Sequence, residues 1–213
     1  MDIGAMLDRL DRGAISDRLR SGRVSRPYAQ ELPGAPRREP RPAAVLVPMF
    51  RHLGAWHLLF IRRTEYPGDH HSGQVAFPGG RREPGDADAA ATALREAREE
   101  VGLDPARVVV LGELRPLHTV SDYLVTPVVG EIPWPLALRP DPNEVARVFG
   151  IPLAWLGDAA NRRVVTWPAP GHPEARAVIF YDEFDQELLW GVSARITVDF
   201  LAVLAASGLP ENG

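Results

Sequence analysis

Apolar positions along the chain fall into helical and strand-like runs. Ile3, Met6, Leu7 and Leu10 recur at helical spacing, which predicts one or two short amphipathic helices over residues 1–22. Ala43–Phe50 and Trp56–Ile61 read as strands, with His52–Ala55 between them suited to a hairpin turn. Gln74–Phe77 reads as a short strand cut off by Pro78-Gly79-Gly80. Asp86 or Asp88 then caps an alanine-rich helix that runs to about Val101 and stops at Gly102. Val108–Leu114 and Val125–Ile132 are β-like, and Asn143–Val148 reads as a short helical turn. Val164–Trp167, Ala177–Tyr181 and Leu188–Trp190 look like short strands, with a turn at Gly171-His172-Pro173. Ile196, Phe200, Val203 and Leu204 mark a final helix over Ser193–Ala206. Mixed strands with one central and one terminal helix predict an α+β fold or an αβα sandwich.

Between the first helices and the first strand, residues 23–42 carry five prolines among arginines and read as an extended linker. The expected organisation is therefore an N-terminal helical segment with its linker over 1–42 and one domain over 43–213. That length is ample for a core without a metal or disulfide staple. There is no cysteine, so disulfides, thiolate metal sites and a cysteine nucleophile are excluded. No apolar run approaches the roughly 18 residues of a membrane span, and no secretion signal opens the chain, so the expected location is the cytoplasm. The net charge of −4 argues against a protein that grips nucleic-acid backbone. All 24 basic residues are arginine. An arginine at any one position is thus weak evidence of function, and mechanisms that need a lysine are excluded.

Candidate chemistry concentrates in Gly79–Leu103, GGRREPGDADAAATALREAREEVGL. At about 100° per residue, Glu96, Glu99 and Glu100 share roughly a 100° arc of one helix face. Ala89, Ala90, Ala93, Leu94, Ala97 and Val101 fill the neighbouring arc, so the helix can pack on a sheet while presenting three carboxylates. Clustered carboxylates repel one another unless a cation sits among them, and their hard oxygens suit Mg²⁺ or Mn²⁺. The plainer reading is a solvated acidic face flanked by Arg95 and Arg98. Phe77-Pro78-Gly79-Gly80 just upstream favours the first, because glycines there allow close backbone approach and the Gly80 carbonyl could complete a metal shell.

Arg95-Glu96-Ala97-Arg98-Glu99-Glu100-Val101-Gly102-Leu103 resembles the C-terminal half of the Nudix box, G-x5-E-x7-R-E-U-x-E-E-x-G-U. The upstream half departs from it: one extra residue places Gly80 and Asp86 where the box has glycine and glutamate. Leu58-Leu59-Phe60-Ile61-Arg62-Arg63, Gly73-Gln74-Val75-Ala76-Phe77-Pro78-Gly79-Gly80 and Trp190-Gly191 are similar to the coenzyme A pyrophosphatase-like branch. The loop between the first two departs, with Asp69 where that branch carries arginine and His70 and His71 nearby.

The resemblance implies a Nudix fold, with a mixed sheet, a catalytic helix after the Gly-Gly loop and a C-terminal helix. It also implies metal-dependent hydrolysis of a nucleoside diphosphate derivative. Coenzyme A is the implied substrate, giving 3′,5′-ADP and phosphopantetheine; ADP-ribose, dinucleotides or nucleoside triphosphates are the alternative, and a non-catalytic binding module the third reading. On the same resemblance, Glu96, Glu99, Glu100 and the Gly80 carbonyl hold Mg²⁺ or Mn²⁺, and Arg95 orients a box glutamate. An acid outside the box acts as base or further ligand: Glu144 leads, with Glu113, Asp122 and Glu131 as rivals. Arg62, Arg63, His70, His71 and Arg81 are the expected substrate contacts. The N-terminal segment is left with three roles: capping the cleft, pairing two copies as a homodimer, or neither.

Overall fold

The computed structural model describes residues 3–21, 39–65, 73–167 and 176–206. The His70–His71 pair, the turn at Gly171-His172-Pro173 and most of the expected linker lie outside the described residues.

The chain opens with two helices, α1 (Ile3–Asp8) and α2 (Arg12–Ser21). Strand β1 (Arg41–His52) is the axis of a mixed eight-stranded sheet. It pairs antiparallel with β2 (Ala55–Arg63) through the expected hairpin, with Met49 opposite Leu58. Ala43–Val45 of β1 pair antiparallel with β4 (Gly79–Arg81), and Arg41–Met49 lie parallel to β7 (Tyr123–Glu131). The side of β2 away from β1 carries β8 (Val145–Pro152), and the end of β2 beyond its pairing with β1 carries β3 (Val75–Ala76) on the other side, at Ile61 and Arg62. Beyond β7 lie β5 (Val109–Glu113) and β6 (Leu117–His118). A separate two-stranded ribbon joins β9 (Arg162–Trp167) to β10 (Arg176–Tyr181).

Strand alternation sends successive side chains to opposite faces, and each face has its own core. Ala44, Leu46, Phe50, Leu59, Ile61 and Val128 pack against α3 (Ala89–Val101), through Ala93, Ala97 and Val101. Val47, Met49, Leu58 and Phe60 pack on the other face against the N-terminal helices and the terminal helix α5 (Gly191–Ala205), which brings Phe200 and Leu204. A short helix, α4 (Leu153–Gly157), closes that side. Helices on both faces make the αβα sandwich expected from the element order. The N-terminal helices belong to this second core. Leu7 and Ile15 are fully buried, at about 1.5–3 kcal/mol for each side chain removed from water. The Trp56 indole N–H donates to the Leu10 carbonyl at 2.9 Å and the Arg51 guanidinium donates to the carbonyls of Asp8 and Leu10, which fixes α1 on β1 and β2.

Three local expectations change. Asn143–Val148 does not form a helical turn. Asp141 makes a tight side-chain turn over Asn143, and Val145 then starts β8, whose β-branched and aromatic residues find their partners on β2. Leu188–Trp190 forms no strand; only Trp190 bridges Phe180 of β10. Gly79 and Gly80 lie within a strand rather than a loop, opposite Val45 and Ala44.

Candidate active site

Helix α3 starts at Asp88, whose carboxylate accepts the Ala91 N–H at 2.8 Å. It ends at Gly102, whose N–H caps the Ala97 and Arg98 carbonyls. The helix phase set by its alanines on the sheet turns Glu96 and Glu100 toward β4 and leaves Glu99 more exposed. Contact with β4 is close. A Cβ on Gly80 would stand 2.5 Å from the Glu96 carboxylate, and one on Gly79 would stand 2.4 Å from the Ala44 carbonyl oxygen. Glycine at 79 is thus a steric requirement of the close approach of β4 to the β1 backbone, whereas a side chain at 80 would displace the Glu96 carboxylate.

Arg95 is the hub of the polar network. Its Nε and Nη2 donate to Asp86 at 3.1 Å each, and its Nη2 donates to the Arg81 carbonyl at 2.9 Å. Its Nη1 lies 2.9 Å from both Glu96 Oε1 and Glu99 Oε2. Asp86 is buried and also accepts from Thr92 Oγ1 and the Glu83 N–H, both at 2.9 Å. The bond from Arg95, helped by that from Glu83, holds the Asp86 carboxyl well below the usual carboxylate range. Of the two proposed caps, then, Asp88 caps the helix, and Asp86 occupies the place that one inserted residue gives the upstream acid.

Glu100 is only 2% exposed. It accepts the Gly79 N–H at 2.9 Å, and Arg63 stands 3.6 Å from its other oxygen. Burial pushes its carboxyl up to about 8 against those two contacts, and the charges of Glu96 and Glu144 push the same way. Burial likewise raises Glu96, which also feels Glu99 and Glu144. Glu144 sits exposed in the turn before β8, where its carbonyl accepts the Thr64 N–H at 2.9 Å, and its charge acts on both Glu96 and Glu100. The rivals stand elsewhere. Glu131 is paired with Arg12, Asp122 sits in the β6–β7 turn, and Glu113 is exposed at the end of β5.

Among the described residues, no three acidic or histidine side chains already converge on a single point. The donor set nevertheless fits a hard divalent cation. Glu96 feels the charges of Glu99 and Glu144, Glu100 those of Glu96 and Glu144, burial pushes both toward protonation, and a cation among them would reverse both effects. Gly80, although in a ladder, keeps a second carbonyl lone pair for such an ion.

The remaining expected contacts separate. Arg63 faces Glu100, on the α3 side of the sheet. Arg62, one residue earlier, points to the opposite side, 3.8 Å from Glu187. Arg81 joins the Arg95 network through its carbonyl, and its side chain is exposed. Glu187 and its partner Arg147 were not anticipated. They meet at 2.9 Å from elements far apart in sequence, and no local pattern marks them.

A glutamate-bearing helix seated on a Gly-Gly strand at the edge of a mixed sheet defines the class, and the family comparison agrees: the NUDIX domain family matches residues 40–170, so the chain belongs to the Nudix hydrolase family. Among relatives, it is 40% identical over 172 residues to the protein described as uncharacterized Nudix hydrolase NudL of Photorhabdus laumondii, covering 79% of this chain and 89% of the relative. It is 38% identical over 172 residues to the human mitochondrial coenzyme A diphosphatase NUDT8, covering 79% of this chain and 72% of the relative. Among solved structures, a MutT/nudix family protein from Enterococcus faecalis aligns with a TM-score of 0.49 at 16% identity, covering 80% of this chain and 63% of that one.

Proposed function

We propose that this hydrolase cleaves the diphosphate of coenzyme A or its acyl derivatives, giving 3′,5′-ADP and the corresponding phosphopantetheine. The observation that carries the reading is the 38% identity to a coenzyme A diphosphatase over four-fifths of the chain. The intact row Glu96, Glu99 and Glu100 supports hydrolysis rather than binding alone.

Glu96, Glu100 and the Gly80 carbonyl would hold a divalent ion, Mg²⁺ or Mn²⁺, with Glu99 direct or through water. When bound, that ion polarises the phosphoryl group and lowers the pKa of an attacking water. Arg95 holds Glu96 and Glu99 in place while Asp86 fixes Arg95 itself. Glu144, opposite the helix, is the proposed base that accepts the proton of the attacking water. Arg63 offsets the charge on Glu100 and stands ready to contact a substrate phosphate.

The test is a product assay with coenzyme A, dephospho-coenzyme A, ADP-ribose and dATP, with Mg²⁺, with Mn²⁺ and with chelator. Coenzyme A turns over fastest, and chelation abolishes activity. Faster turnover of ADP-ribose than of coenzyme A refutes the substrate and leaves the Nudix hydrolase intact; full activity in chelator refutes the metal site.

A further inference from the structure

The opposite orientations of Arg62 and Arg63 give the protein a second recess. On the Arg62 side of β2 lies a cleft of about 330 Å³, at the small end for sites that bind small molecules. Its near wall is Arg62 and Val75, and its far wall is Gln186, Glu187, Leu188 and Trp190.

The far wall is firmly built. Phe184 and Glu187 exchange backbone hydrogen bonds at 3.0 Å across a tight turn, with Asp185 and Gln186 left-handed at φ 51° and 67°. Arg147 fastens this turn to β8 by donating to the Asp185 carboxylate, the Asp185 carbonyl and Glu187. Trp190 lies flat on Phe180, with ring centroids 5.4 Å apart and planes 6° apart, so its indole has little freedom. At the rim, Gly73 adopts φ +70°, and Glu65 occupies the space beside its Cα: a Cβ there would stand 3.2 Å from Glu65 Oε1. A side chain on residue 73 would push Glu65 aside.

The lining chemistry selects among the parts of a substrate. Two guanidiniums, Arg62 and Arg147, stand against three carboxylates, Glu65, Asp185 and Glu187, so the surroundings keep a net negative charge and a phosphate placed here meets repulsion. A neutral planar heterocycle does not. An indole held rigid offers it a stacking surface. The Gln186 carboxamide matches the donor–acceptor edge of an aminopurine, and a carboxylate at the rim accepts from its exocyclic amine.

We infer that this recess seats the adenine ring of the substrate, with Gln186 and Glu65 reading its edge beside Trp190. The phosphates stay with Arg63 and the glutamates on the other face of β2. This rests on the reading of the substrate as an adenine nucleotide diphosphate.

Calorimetric titration of the full chain with the two halves of coenzyme A tests it. The ligands are adenosine 3′,5′-bisphosphate, its inosine counterpart and 4′-phosphopantetheine. The variants are Gln186→Ala and Glu65→Gln, both at exposed positions and checked by melting. Each variant weakens adenosine 3′,5′-bisphosphate about fivefold or more and leaves phosphopantetheine unchanged. Wild-type protein binds the inosine compound about tenfold more weakly than the adenosine one, the scale for a mismatched hydrogen bond. Weakening of phosphopantetheine instead assigns the recess to the other half of the substrate and overturns the inference. So does unchanged binding of both halves in both variants. Coenzyme A turnover by the wild type, measured separately, reports on the hydrolase reading alone, so the two can fail independently.

Discussion

Replacing Asp86 with asparagine removes one charge and keeps the shape of the side chain. In the wild type, Asp86 Oδ2 accepts from Arg95 Nη2, Thr92 and the Glu83 N–H, and Oδ1 accepts from Arg95 Nε. Asparagine can keep the three bonds at one oxygen, but its amide NH₂ then opposes the Arg95 Nε–H. Breaking a buried ion pair costs about 3–5 kcal/mol, and a charge-assisted bond contributes about 1.5–3. Arg95 retains Glu96 and Glu99 and its side chain is 22% exposed, so the loss falls at the low end, about 2–3 kcal/mol. For a chain of this size that lowers the melting temperature by about 4–12 °C at pH 7. The pH dependence has a definite sign. The folded-state pKa of Asp86 is depressed, so its contribution is complete above the unfolded value near pH 4 and is lost as pH falls through the folded value. Below about pH 4 the stability gap between wild type and Asp86→Asn therefore narrows, by about 1.4 kcal/mol per pH unit. Thermal melts followed by circular dichroism at pH 7 and pH 3 measure both effects. A variant that melts within 1 °C of wild type at pH 7, or a gap that does not narrow in acid, refutes the anchoring role of Asp86.

Other perturbations address the site directly. Glu100→Gln keeps the Gly79 hydrogen-bond geometry available but removes a ligand charge, and kcat falls at least about 100-fold, the upper scale for disturbed metal ligation; a near-wild-type rate would show that α3 is not the metal site. Glu144→Gln lowers kcat far more than it raises KM, and an unchanged kcat transfers the role to Glu113, Asp122 or Glu131. Gly80→Ala places a methyl within 2.5 Å of the Glu96 carboxylate, so kcat drops about tenfold or more with the fold intact by circular dichroism; full activity would show that Glu96 can shift without consequence.

What was legible in the sequence is local. Helix α3 shows itself through its alanines, its Asp88 cap and Gly102, and its 3.6-residue period alone places Glu96, Glu99 and Glu100 on neighbouring positions. The β1–β2 hairpin and α5 are equally local, because alternation and helical periodicity are written within a dozen residues. The tertiary structure decided whatever depends on a partner distant in the chain. Val145–Pro152 becomes a strand only because β2 offers it an edge, and Gly80 becomes one only beside β1. Asp86 is told apart from Asp88 by the arrival of Arg95, not by anything next to it in sequence. The acidity of the site is likewise not a property of the motif. Glu99 and Glu100 are adjacent and chemically alike, yet packing against β4 buries Glu100 and leaves Glu99 exposed, and that burial is the largest cause that raises the Glu100 carboxyl. Arg62 and Arg63, also adjacent, are divided between two faces of the molecule by the pleat of β2, and the partner on each face comes from a different part of the fold.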